Sequence, residues 1–129
     1  MTTAKKVVLI VDDEKAYRTI FAQKLVEEGF VVLEAADGAE GLKVALEKKP
    51  DAILLDLQMP NVDGITMLSK LREDPWGKQA EVIILTNISD NEKLAEAIKN
   101  HTFVYLVKTD MSMDELVVKV KSTIENKKK

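Results

Sequence analysis

Residues 52–60 read AILLDLQMP, and the rest of the 129-residue chain is interpreted around this stretch. A run of apolar residues ends in a single carboxylate, Asp56, shortly before a turn. Such a run is typical of a strand buried inside a sheet. An aspartate at its end is typical either of a turn former or of a reactive group at the sheet edge, and only the neighbouring sequence can distinguish the two.

Strand-like and helix-like segments alternate on both sides of this stretch. The other predicted strands are Val7–Val11, Val31–Ala35, Val82–Thr86 and residues 103–107. Apolar residues at helical spacing follow each strand, and capping patterns precede three of the helices, at Asp37 with Glu40, Ser89 with Glu92, and Ser112 with Glu115. This pattern predicts an α/β fold, (βα)5, with a doubly wound parallel sheet of five strands and right-handed crossovers.

Composition excludes several classes of protein. With 46% hydrophobic and 32% charged residues, the chain is typical of one globular domain, which we predict over residues 1–125, followed by a basic tail or linker remnant over residues 126–129. The absence of cysteine excludes disulfides, thiolate metal sites and cysteine nucleophiles. A net charge of -3 argues against a nucleic-acid groove. The sequence shows no signal-peptide or membrane-spanning run, so we predict a cytoplasmic protein without a membrane partner.

Polar side chains stand at the ends of four predicted strands. They are Asp12 and Asp13 after the first strand, Asp56 on the third, Thr86 on the fourth and Lys108 on the fifth. Because the carboxyl ends of parallel strands meet at one edge of the sheet, we expect these groups to converge there. Clustered carboxylates need a compensating cation, and Mg²⁺ prefers such oxygen ligands. With a lysine and a hydroxyl to contact phosphoryl oxygens, the set predicts phosphoryl transfer to an attacking carboxylate.

Four segments carry a resemblance to a known family. They are LIVDDE at residues 9–14, LLDLQMPNVDG at 54–64, ILT at 84–86 and YLVK at 105–108. In their order and separations, the chain resembles the receiver domain of two-component response regulators over nearly its whole length. The resemblance implies a flavodoxin-like strand order of 2-1-3-4-5. It also implies a phosphorelay signalling switch that is not a conventional enzyme but catalyses its own phosphorylation and dephosphorylation.

The resemblance implies a role for each acidic residue of the predicted site. Asp56 would be the phosphoacceptor, forming an aspartyl phosphate with the group from the phosphohistidine of a sensor histidine kinase or phosphotransfer protein. Asp13, Asp56 and the backbone carbonyl of Gln58 would bind Mg²⁺, and Asp12 would act through water.

The resemblance also implies how the phosphate is read. Lys108 would neutralise one phosphoryl oxygen, Thr86 would hydrogen-bond another, and Tyr105 would be the switch aromatic. A downstream protein target would bind the face formed by the fourth helix, fifth strand and fifth helix. The chain would be a monomer or a phosphorylation-dependent dimer, with no nucleic-acid partner.

Among the features that distinguish this chain from the family pattern, three residues lie near the predicted site. Thr109 follows Lys108 where the family usually has proline, and Asn87 is larger than the usual small residue after the hydroxyl. Ile88 is apolar at a position that tunes phosphate lifetime in the family. We hypothesise that Ile88 helps to exclude water, which predicts slow self-dephosphorylation.

Two other function classes stay open. A receiver-like scaffold could bind partners without phosphorylation, although the intact set Asp12, Asp13, Asp56, Thr86 and Lys108 argues against that loss. An enzyme on the same architecture could be a flavodoxin-like redox protein or an aspartate-nucleophile phosphatase. The first would need a Ser/Thr/Gly-rich phosphate loop after the first strand, and the second an alternating Asp-x-Asp. The segment VDDEKAYR has neither pattern.

Overall fold

The computed structural model describes residues 5–57, 64–86, 104–107 and 112–127. The strands in these ranges are β1 (Val7–Val11), β2 (Val31–Ala35), β3 (Ala52–Asp56), β4 (Val82–Thr86) and β5 (Val104–Val107). The helices are α1 (Lys15–Glu27), α2 (Gly38–Lys48), α3 (Gly64–Glu73), a short 3-10 helix (Gly77–Gln79) and the C-terminal helix (Met113–Lys127).

The strands form one parallel sheet in the order β2-β1-β3-β4-β5. Leu9 of β1 is in register with Leu33 of β2 on one side and with Ile53 of β3 on the other. The arrangement of β1 to β4 confirms the predicted parallel sheet and its order 2-1-3-4. The backbone of β5 pairs with β4 over residues 104–107.

Some predicted features lie outside the described residues. They are the fourth helix predicted after Ser89, the carbonyl of Gln58, the departures at Asn87 and Ile88, and the peptide between Lys108 and Thr109. The complete (βα)5 repeat therefore stays a prediction for the part of the chain between β4 and β5.

The core consists of two apolar layers, one on each face of the sheet. Alternate residues of a strand point to opposite faces, so Leu9 packs in one layer and Ile10 in the other. Helices α2 and α3 contribute Ala45 and Leu68 to the layer with Leu9, whereas α1 and the C-terminal helix contribute to the layer with Ile10. Each fully buried large apolar side chain contributes about 1.5–3 kcal/mol. The continuous apolar runs are thus explained by burial on both faces.

The helix ends follow the predicted capping chemistry. Asp37 accepts a hydrogen bond from the Glu40 backbone N–H at 2.8 Å, and Ser112 Oγ accepts one from the Glu115 N–H at 3.1 Å. Gly29 follows α1 with φ of 97°, a conformation that favours glycine. The two hydrogen bonds begin α2 and the C-terminal helix at the predicted caps, and Gly29 follows the end of α1.

The connection from α3 to β4 is partly helical, whereas the segment of residues 72–80, which contains Pro75-Trp76-Gly77, predicts a loop. Helix α3 continues to Glu73, and a 3-10 helix interrupts the loop. Arg72 Nη1 donates to the carbonyl oxygens of Gly77 at 2.6 Å and Ala80 at 2.8 Å, which ties this segment to the end of α3. Burial lowers the pKa of this guanidinium, while the carboxylate of Glu81 acts in the opposite direction. The arginine therefore orders the chain just before β4.

We expect Arg72→Met to lower the free energy of unfolding by about 2 kcal/mol, because it leaves two backbone carbonyls without their charged donor. Urea unfolding of the variant and the parent chain measures this difference. The matched control is Lys70→Met on the exposed side of the same helix, which we expect to change stability by less than about 0.5 kcal/mol. Equal losses in both variants would contradict the role given to Arg72.

The C-terminal helix extends to Lys127, two residues beyond the predicted end of the domain at residue 125. Ends of helices differ by one or two residues between definitions, so the tail or linker remnant over residues 126–129 stays a prediction. Among the described helices, none combines the length and the apolar character that crossing a membrane requires.

Candidate functional site

Four acidic side chains meet at the carboxyl edge of the sheet. Asp12, Asp13, Glu14 and Asp56 each place a carboxylate oxygen within 4.8 Å of the others. Asp12 is 0% and Asp56 4% exposed, whereas Asp13 and Glu14 are exposed to solvent. The cluster therefore has a buried floor of two carboxylates and an open acidic rim.

Asp56 owes its position to the central strand β3. This strand lies between β1 and β4, with Leu55 in register with Val11 and Asp56 in register with Leu85. All five residues of β3 are buried. The strand therefore delivers the Asp56 carboxylate to the sheet edge from inside the core, beside the loop that follows β1.

The loop after β1 is held by a short series of hydrogen bonds. The Asp12 N–H donates to the Ala35 carbonyl at 3.1 Å, which extends the pairing between β1 and β2 by one step. The Asp12 Oδ1 then accepts from the Glu14 N–H at 2.9 Å, in the manner of an Asx turn. Arg18 Nη1 donates to the Asp12 carbonyl at 2.7 Å. The backbone around the first two acids is thus fixed on both sides.

Gly64 brings the start of α3 against the end of β3. Its N–H donates to the Leu57 carbonyl at 3.2 Å. A Cβ at this position would collide with the Asp56 carbonyl oxygen and would lie 2.7 Å from Leu57 Cα. Only glycine therefore fits here without displacing the backbone that carries Asp56.

The structure brings together three of the predicted site residues, Asp12, Asp13 and Asp56. It adds Glu14, to which the sequence assigned no role at the site. The sequence signal for Glu14 was its place directly after two acids at a strand end, but adjacency alone does not show that a carboxylate turns toward its neighbours.

The remaining predicted site residues are described less fully. Thr86 is the last residue of β4 and Tyr105 lies in β5, so the backbone of both is placed within the sheet. Gln58 and Lys108 lie outside the described residues. The roles of these four residues stay predictions.

The acidic cluster fits Mg²⁺ in the chemistry of its donors. Mg²⁺ takes oxygen ligands, is typically bound through one or two carboxylates, and keeps several waters. Asp12, Asp13 and Asp56 supply the carboxylates, and the exposed rim leaves room for water and for a phosphoryl group. A compensating cation also offsets the cost of burying like charges together.

Comparison with known proteins agrees with this geometry. The family model for the response regulator receiver domain matches residues 8–121. Among curated proteins, the transcriptional regulatory protein SrrA of Staphylococcus aureus is 37% identical over 117 residues, which cover 91% of this chain. The same match covers 47% of SrrA, so the chain spans about half the length of this relative.

Solved structures show the same fold. The receiver domain of a Francisella response regulator has a TM-score of 0.85 and 32% identity, covering 95% of this chain and 98% of that one. A receiver domain of a sensor histidine kinase from Pseudomonas aeruginosa, solved with a magnesium ion coordinated in its active site cleft, has a TM-score of 0.86 and 25% identity over 95% and 99% of the two chains. From the fold, the acidic cluster and the family match together, the chain belongs to the response regulator receiver domain family.

Proposed function

We propose that this chain is a signalling switch that accepts a phosphoryl group on Asp56 from the phosphohistidine of a histidine kinase or phosphotransfer protein. One observation carries the proposal. Asp56 is the only described residue that combines a carboxylate, a central-strand end and near-complete burial with three further carboxylates within 4.8 Å. This is the arrangement that a metal-assisted carboxylate nucleophile needs.

The proposed transfer is an in-line displacement at phosphorus. An Asp56 carboxylate oxygen forms a new bond to phosphorus while the bond from phosphorus to the imidazole nitrogen breaks. The imidazole leaves with that electron pair and takes up a proton from solvent. Asp13 and Asp56 would hold Mg²⁺, with Asp12 acting through water, and the ion would supply positive charge to the phosphoryl oxygens when it is bound.

We extend the proposal to residues whose side chains are not described. Lys108 would neutralise one phosphoryl oxygen, Thr86 would donate a hydrogen bond to another, and the Gln58 carbonyl would complete the metal ligands. Phosphate contacts at the ends of β4 and β5 would favour one arrangement of these loops, with Tyr105 as the switch aromatic. A fourth helix between β4 and β5 would complete the (βα)5 fold and form the output face with β5 and the C-terminal helix.

We expect Mg²⁺ to stabilise the folded chain, because the cation binds the clustered carboxylates in the folded state only. Binding at one site raises the free energy of unfolding by about 2.7 kcal/mol when the Mg²⁺ concentration is 100 times Kd, and by about 1.4 kcal/mol for each further tenfold increase in that concentration. Thermal unfolding with increasing MgCl₂, at ionic strength held constant with NaCl, measures the effect. Asp13→Asn should weaken the magnesium response.

The matched control is Asp51→Asn. Asp51 lies at the opposite end of β3, where its Oδ2 accepts from the Val7 N–H at 2.8 Å, a bond that an asparagine carbonyl can also accept. This variant should keep the magnesium response of the parent chain. A melting temperature that does not depend on Mg²⁺ in any of the three proteins would contradict the metal site and would favour a scaffold that works without phosphorylation.

A further inference from the structure

Arg18 is a mostly buried cation that contacts the backbone of the acidic loop. Its side chain is 16% exposed. Nη1 donates to the Asp12 carbonyl at 2.7 Å, and Nε lies 3.4 Å from Glu34 Oε1. The Arg18 N–H donates to the Glu14 carbonyl at 3.1 Å, so the residue sits one turn into α1. One side chain therefore connects the end of β1, the first turn of α1 and the edge strand β2.

The backbone N–H and the backbone carbonyl of Asp12 are consequently both held by hydrogen bonds. The Ala35 carbonyl accepts from its N–H, and the Arg18 guanidinium donates to its carbonyl. Fixing the peptide between Asp12 and Asp13 fixes the direction in which both carboxylates leave the backbone. Hydrogen bonds of this kind, one step removed from the ligands, orient metal ligands and are worth about 10–100-fold in metal affinity.

The positive charge of Arg18, in contrast, lowers the affinity of the cluster for a cation. A guanidinium near the cluster repels a divalent cation, so its removal by itself would strengthen cation binding. When Arg18 is replaced by a neutral residue, the loss of positioning should therefore weaken Mg²⁺ binding, whereas the loss of charge should strengthen it. This opposition makes the role of the residue measurable.

We propose that Arg18 is a positioning residue for the cation site, acting through the Asp12 carbonyl and anchored by Glu34. This inference rests on the proposed function, because it takes the acidic cluster to be the magnesium site. Preorganisation of the loop outweighs the repulsion between the guanidinium and the cation.

Three substitutions separate the contributions. Arg18→Met removes both the charge and the donors. Arg18→Lys keeps the charge, but one ammonium cannot reproduce the two-sided contact of a planar guanidinium. Glu34→Gln leaves Arg18 in place and weakens its anchor. The control is Lys24→Met, which removes a cation of the same helix that pairs with Glu28 and Asp114 at 3.9 and 3.6 Å.

The affinity for Mg²⁺ is measured by isothermal titration well below the melting temperature, and stability is measured separately in EDTA. We expect Arg18→Met to weaken Mg²⁺ binding about tenfold. Arg18→Lys should also weaken it, and Glu34→Gln should do so by a smaller factor. Lys24→Met should bind Mg²⁺ as the parent chain does. A purely structural role would lower stability in EDTA without changing the affinity of the folded protein.

Unchanged or tighter Mg²⁺ binding by folded Arg18→Met would overturn the inference. If Arg18→Met does not fold, Arg18→Lys and Glu34→Gln test the inference instead. Parent-like Mg²⁺ affinity in both of these variants would also overturn it. Mg²⁺ binding by the parent chain distinguishes failure of the metal site from failure of the role proposed for Arg18. No Mg²⁺ binding by the parent would refute the metal site itself, whereas binding by the parent and equal binding by the variants would refute only the role of Arg18.

Discussion

Replacing Asp56 by asparagine is expected to abolish phosphorylation of this chain by a small phosphodonor in the presence of Mg²⁺. The amide is nearly isosteric with the carboxylate, so the fold around β3 should persist. It lacks the anionic oxygen that would attack phosphorus, and the three neighbouring acids lie on the loop after β1 rather than at the end of the central strand. The expected loss is complete rather than partial.

Intact-mass spectrometry measures this result after incubation with phosphoramidate or acetyl phosphate. The parent chain should gain the mass of one phosphoryl group, and Asp56→Asn should gain none. Asp51→Asn makes the same chemical change at the other end of the strand and should label as the parent does. Equal labelling of Asp56→Asn and the parent would show that another residue is the acceptor.

Gly64→Ala is expected to damage both stability and phosphorylation. The new methyl group would collide with the Asp56 carbonyl oxygen and approach Leu57 Cα, so β3 and α3 must move apart. Overpacking of this kind typically costs about 1–3 kcal/mol. A shift of the acceptor by about 1 Å can slow a reaction roughly 100-fold, so the phosphorylation rate should fall more steeply than stability alone explains.

Gly29→Ala is the matched control for this variant. At φ of 97° an alanine is strained, but a Cβ would meet no atom within 4 Å. We expect a loss of about 1 kcal/mol in the free energy of unfolding from the backbone conformation, with an unchanged phosphorylation rate. If Gly64→Ala and Gly29→Ala are phosphorylated at the same rate, the close approach of Gly64 to the backbone of Asp56 and Leu57 has no part in positioning Asp56.

The sequence allowed prediction of the sheet because its signals were repeated and local. The runs in β1 and β3 are apolar without interruption, which only burial on both faces explains, as the positions of Leu9 and Ile10 in separate layers show. The caps at Asp37 and Ser112 involve residues three apart and need no tertiary information. The meeting of Asp12, Asp13 and Asp56 followed from the geometry of parallel strand ends.

Features that depend on tertiary contacts were not predictable. Glu14 joins the cluster from a loop whose backbone is held by the hydrogen bond from the Glu14 N–H to Asp12 Oδ1, and the sequence does not reveal that loop conformation. The contacts of Arg18 with the Asp12 carbonyl and Glu34 depend on how α1 lies against the sheet. Arg72 orders the connection before β4 through carbonyls five and eight residues ahead, which no periodicity reveals.

Chemical identification of the phosphorylated residue distinguishes Asp56 from every other acceptor in the chain. Borohydride reduces an aspartyl phosphate to homoserine, and tandem mass spectrometry of the digested protein then locates that residue. We predict homoserine at position 56 alone, and only when Mg²⁺ was present during phosphorylation. Homoserine at position 12 or 13, or phosphorylation of the chain without reducible aspartyl phosphate, would contradict the assignment of Asp56 as the phosphoacceptor.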